Sequence, residues 1–175
     1  MARWSGIRKK LETEYLAKCL RGHIRYFATS YSRCPDHEGR AAILLDGKEL
    51  IAGNYFNNWV KAPLFPHDET YEKRMSLELA FMDDTAVQLG VFDQRCFYEA
   101  FEIFDNQSIE RSLESDNMLV RIFAILDRRV GKRRLTAIGK TIGQEEKSFR
   151  DFFEIRAKAE GILQAEAKCA AGARS

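Results

Sequence analysis

Hydrophobic positions along the chain change period several times, and each change marks an element. Over residues 5–20, "SGIRKKLETEYLAKCL", the apolar positions Ile7, Leu11, Tyr15 and Leu16 recur at helical spacing. Lys9, Lys10, Glu12 and Glu14 fall opposite them, so the segment is expected to be an amphipathic helix, with Gly22 stopping it. The period then becomes two. In "HIRYFATSY", Ile24, Tyr26 and Ala28 face one way and Phe27, Thr29 and Tyr31 the other. "SRCPDHEG" is rich in turn formers, and "RAAILLDGKELIAGNYF" holds two β-rich runs either side of Asp46-Gly47, a dipeptide that tolerates the positive φ of a tight hairpin. A three-stranded antiparallel meander over about residues 23–56 follows.

Beyond the Pro63 and Pro66 loop, the pattern is helical. Residues 68–90 carry a stripe of Met75, Leu79, Met82, Ala86 and Leu89. Asp93 is placed to cap a helix presenting Phe97, Phe101 and Phe104, and Ser108 to cap "IERSLES". Ser115 or Asp116 should cap "NMLVRIFAILDRR", which Gly131 interrupts. Gly143 separates "KRRLTAIGKTI" from a last helix with Phe149, Phe152, Phe153 and Ile155 inward. The expected architecture is α+β: an N-terminal helix, the meander, and a mostly helical C-terminal half packed on the sheet. One domain is expected over residues 1–162, with helix 5–20, sheet 23–56 and helical part 68–162, followed by a flexible tail at 163–175. The length of 175 residues suits that reading.

Composition excludes little. Hydrophobic residues make up 45% and the net charge is only +2, too small to imply polyanion binding by itself. Its distribution is uneven. Residues 1–25 hold seven cations against two acids, a net of +5, and residues 68–116 hold thirteen acids against four cations, a net of −9. Residues 117–140 return to seven cations against one acid, a net of +6. Segments of opposite sign in one chain are expected to neutralise each other in the fold. No secretory signal or membrane-length apolar run is visible. The scattered Cys19, Cys34, Cys96 and Cys169 suggest reduced cytosolic thiols.

Candidate chemistry is sparse. Cys34-x-x-His37 has the spacing of half a zinc site, but no second pair completes four ligands, so no metal is expected. His67-Asp68-Glu69 suits a catalytic fragment, yet acids after a proline also describe the first turn of a helix. Asp83-Asp84 is expected to be a cap or a solvated face. No hydrolase elbow, phosphate loop, dinucleotide fingerprint or zincin motif is present, so no catalytic residue and no cofactor is assigned. The aromatic stripes are expected in the core rather than around a ligand.

The densest signal is "AILDRRVGKRRL", residues 124–135, where Asp127 is followed by Arg128, Arg129, Lys132, Arg133 and Arg134. Split at Gly131, it becomes two helix ends. Arg128 and Arg129 would suit the carbonyl end of the first helix, whereas Lys132, Arg133 and Arg134 would open a second helix, where cations are disfavoured. They therefore need an anion, either from the acidic 68–116 segment or from outside. These five residues are the candidate partner-binding set. The leading expectation is a non-enzymatic interaction protein binding a protein partner through a charged helical surface, possible forms being immunity- or antitoxin-like. Nucleic-acid binding through 128–134 is the alternative, and an enzyme using His67, Asp68 and Glu69 the third.

The elements "GHIRYFATSY", "GRAAILLDGKEL", "DQRCFYEAFEIFDNQSIERSLESDN", "LVRIFAILDRRVGKRRL" and "FFEIRAKAEGI" resemble a family of small uncharacterised bacterial proteins, "LDRRVGKR" being the specific part. The resemblance implies a bacterial, cytosolic, single-domain protein; that no membrane association is expected follows instead from the lack of a membrane-length apolar run. It implies no activity and transfers no catalytic residues.

Overall fold

The structure is a computed structural model, and it describes residues 3–31, 39–55, 58 and 82–163. The first helix, α1 (Trp4–Lys9), runs straight into π-helical turns over Lys10–Tyr15 and buries Ile7 and Leu11. The helix expected over 5–20 therefore stops early. Leu16 turns extended and forms an isolated antiparallel bridge with Asp127. The Ala17 N–H donates to the Leu126 carbonyl at 3.0 Å, and the Arg128 N–H donates to the Tyr15 carbonyl at 2.8 Å. Tertiary pairing wins over the helical pattern here, and a 3₁₀ turn at Lys18–Leu20 replaces the last helical turn.

Strands β1 (Ile24–Ser30), β2 (Gly39–Leu45) and β3 (Lys48–Gly53) form the antiparallel sheet in the order β1-β2-β3. Ile24 pairs with Leu45, Tyr26 with Ile43 and Ala28 with Ala41, so the alternation expected for β1 holds: these residues face the core. Phe27, on the other face, stays 40% exposed. Asp46 and Gly47 take φ of 49° and 81°, the positive pair that a two-residue hairpin loop requires. Leu45 and Lys48 close that hairpin, and a register shift follows between Ile43 and Leu44.

The helices cover the inner face. They are α2 (Asp84–Leu89), α3 (Gln94–Asp105), α4 (Ile109–Leu113), α5 (Met118–Leu126), α6 (Lys132–Gly139) and α7 (Lys147–Ala159). Asp83, Asp93 and Ser108 cap their helices, with the Asp93 carboxylate accepting from the Arg95 and Cys96 N–H groups. Asn117, not Ser115 or Asp116, caps α5; its Oδ1 accepts from the Leu119 and Val120 N–H groups at 3.0 and 3.3 Å. Ser115 Oγ instead accepts from the Asn117 N–H and so sets the cap. Of the stripe expected over 68–90, Met82 and Ala86 are buried, Leu89 is 41% exposed, and Met75 and Leu79 lie outside the described residues.

Every residue of α5 except Arg121 is buried, the mark of a helix with protein on all sides. Phe123 sits at its centre, edge-on to Tyr26 at 5.7 Å, Phe97 at 5.5 Å and Phe104 at 6.0 Å between ring centres. Sheet, α3 and α5 thus share one apolar cluster, to which α7 adds Phe149, Phe152 and Phe153. Arg121 emerges from it, donating to Glu145 and Glu146 at 2.5 and 2.7 Å.

A basic corner built on a buried carboxylate

Helix α5 ends at Leu126, so Arg128 and Arg129 lie beyond it rather than in its last turn. A helix dipole therefore does not account for them. Asp127 does, in part. Its side chain is fully buried, and it closes the turn by accepting the Arg129 N–H at 2.6 Å and the Arg129 guanidinium at 2.9 and 3.1 Å. The same guanidinium lies over the rings of Tyr15 at 5.0 Å and Phe104 at 5.2 Å. Beside it the Tyr15 hydroxyl donates to Asp105, which also accepts from Lys10 at 2.9 Å. Burial, and then the Asp105 carboxylate, push the Tyr15 phenol up to about 12. Burial alone would raise the Asp105 carboxyl, but the Tyr15 hydroxyl and Lys10 more than offset it and hold it below its usual range.

Gly131 opens α6 and offers no side chain to cap it. Its cations divide. Arg134 reaches Glu110 of α4 at 2.6 Å, a partner from the acidic 68–116 segment as expected. Lys132 instead stands 3.7 Å from Glu160, just past α7. Arg128 and Arg133 are exposed, and among the described residues neither side chain has a hydrogen bond or ion pair. Arg129, Gly131, Arg133, Arg134 and Ala137 line an open depression of about 530 Å³. The structure therefore brings all five sequence-predicted cations to one corner, three with intrachain partners and two without one among the described residues.

Two residues that the sequence reading missed anchor this corner from behind. Arg156 of α7 is 2% exposed and donates to the Val130 carbonyl at 3.1 Å, to Glu160 at 2.5 Å and to the Cys19 sulfur at 2.7 Å. Its Nε has no partner. Glu160 completes the link, accepting from the Cys19 thiol at 3.3 Å. The signal was present in the pattern: Arg156 follows Phe149, Phe152 and Phe153 in core phase, with Glu160 one turn on.

Among the described residues, no group of three or more His, Cys, Asp or Glu could hold a metal ion, and no helix is long and apolar enough to cross a membrane. Cys34, His37, His67, Asp68, Glu69 and Cys169 lie outside those residues. In comparisons with known proteins, the model of the SF0329 protein family, an uncharacterised family, matches residues 3–157. No curated protein and no solved structure matches the chain. The chain belongs to the SF0329 protein family.

Proposed function

We propose that this member of the SF0329 protein family is a non-enzymatic binding protein that holds an acidic protein surface through Arg128, Arg129, Lys132, Arg133 and Arg134. The observation that carries the reading is the division of these cations. Intrachain carboxylates neutralise Arg129, Lys132 and Arg134, while Arg128 and Arg133 are left to solvent within the same corner. Exposed guanidiniums beside a depression suit bidentate contact with carboxylates. Glu110 and Glu160 stand among the cations, so a continuous polyphosphate would meet repulsion where a mosaic protein surface would not. That argument favours a protein over a nucleic acid. The resemblance to bacterial cytosolic proteins supports reading the partner as a cytosolic one, and an immunity- or antitoxin-type role is one form such binding takes.

The test is capture of partners by the tagged full chain from lysate of its native host, at low and moderate salt. The wild type is compared with an Arg128→Glu/Arg133→Glu double variant. The expected result is a stoichiometric protein retained by the wild type and lost by the variant. A partner retained equally by both would overturn the reading. Recovery of DNA or RNA alone, released steeply by salt, would replace it with the nucleic-acid alternative.

A further inference from the structure

The contacts behind the corner support a step beyond the surface itself, and it deepens the binding reading above. Three segments distant in sequence meet at Arg156: the turn at Cys19, the turn at Val130 and the end of α7 at Glu160. A guanidinium with one nitrogen unpaired in the interior is costly, and an apolar residue would fill α7's inward face more simply. What the arginine adds is reach. One of its nitrogens holds the backbone of the basic turn, and another holds the carboxylate that also faces Lys132. We propose that Arg156 is the positioning residue of the basic corner, and that the Glu160 carboxylate it shares with Lys132 couples that corner to the Cys19 thiol.

The coupling has a sign. The titratable and charged groups on Cys19 are Arg156 and Glu160, with Lys132 behind Glu160. Burial raises the thiol first; Arg156 opposes that, and Glu160 adds to it. Removing the Glu160 charge leaves Arg156 alone beside the sulfur and favours thiolate. Removing Lys132, or drawing it onto an external anion, leaves Glu160 a stronger acceptor and favours thiol. The two changes should therefore move Cys19 in opposite directions, which loss of packing would not do.

The experiment measures alkylation of Cys19 by iodoacetamide in the full chain near neutral pH, resolved by mass spectrometry of the peptide. Thiolate fraction sets the rate, so a lower thiol pKa raises it. Glu160→Gln should raise the Cys19 rate roughly threefold. Lys132→Ala should lower it by a smaller factor, which salt removes because Lys132 is exposed. Cys96 is the internal control: it is half-buried, and burial and then the Asp93 carboxylate hold its thiol far above the usual range, so it reacts slowly and its rate rises only if the fold opens. Opposite shifts at Cys19, with Cys96 unchanged, support the coupling. Unchanged rates in both variants, or shifts of one sign, overturn it. Should Glu160→Gln expose Cys96, the Lys132→Ala arm decides alone: a salt-sensitive fall at Cys19 supports the coupling, and an unchanged rate overturns it. No partner is needed, so failure here is separable from failure of the binding reading.

Discussion

Arg129 and Asp127 form an ion pair whose two halves differ in burial, and the difference predicts unequal costs for removing them. The Asp127 side chain is fully buried, whereas that of Arg129 is 37% exposed. In Arg129→Ala the carboxylate stays inside with only the backbone N–H of residue 129 to balance it. Stranding one member of a buried pair costs about 3–5 kcal/mol, and the surviving N–H places the expectation near the lower end. Loss of the contacts with the Tyr15 and Phe104 rings adds about 0.5–1 kcal/mol. In Asp127→Ala the guanidinium keeps both rings and rehydrates through its exposed edge, so the loss is that of charged hydrogen bonds, about 1.5–3 kcal/mol. Arg129→Ala should therefore be the more destabilising by about 0.5–2.5 kcal/mol, taking the difference of these ranges. Urea unfolding of the two variants, followed by circular dichroism, measures it as a shift in midpoint at constant slope. If Asp127→Ala unfolds as easily as Arg129→Ala or more so, burial of the carboxylate is not what organises the turn.

Asp93 caps α3 through two backbone N–H groups, so Asp93→Ala should cost about 1 kcal/mol and Asp93→Asn less, read by the same unfolding measurement. The Tyr15 phenol, at about 12 in the fold against 10.0 as its ordinary value, supplies a pH dependence. Because its folded value is the higher one, its contribution is complete below pH 10 and is lost as pH rises toward 12. Burial also raises the Tyr26 and Tyr98 phenols, so spectrophotometric titration should show late-ionising tyrosine absorbance that falls by one residue's share in Tyr15→Phe, and that variant should lose less stability over this window than the wild type.

Much of the fold was legible because its signals were local. Asp46-Gly47 is a hairpin signal carried by two adjacent residues, and both adopt the positive φ that the turn needs. The alternation of Ile24, Tyr26 and Ala28 survives because a sheet with one buried face cannot slip by one residue. The misread stretches are those where a distant partner decides. Leu16 has helical spacing, yet its backbone pairs with Asp127, more than a hundred residues away. Ser115, Asp116 and Asn117 are all capping residues, and choosing among them needs the entry angle of α5 into the core.

The basic corner shows the same limit in chemical form. That cations at the start of α6 need anions follows from the helix dipole, and the 68–116 segment did supply Glu110 to Arg134. Which acid meets which cation depends on where α4 and α7 pass, and periodicity says nothing of that. Glu160 reaches Lys132 only because α7 ends beside Gly131's turn, held there by Arg156. Nor does spacing separate Arg128 from Arg129: they are neighbours of one type, yet only Arg129 meets a buried carboxylate and two ring faces. The sequence located this charge; the packing of three helices around one turn leaves Arg128 and Arg133, of the five cations in this corner, without an intrachain partner among the described residues.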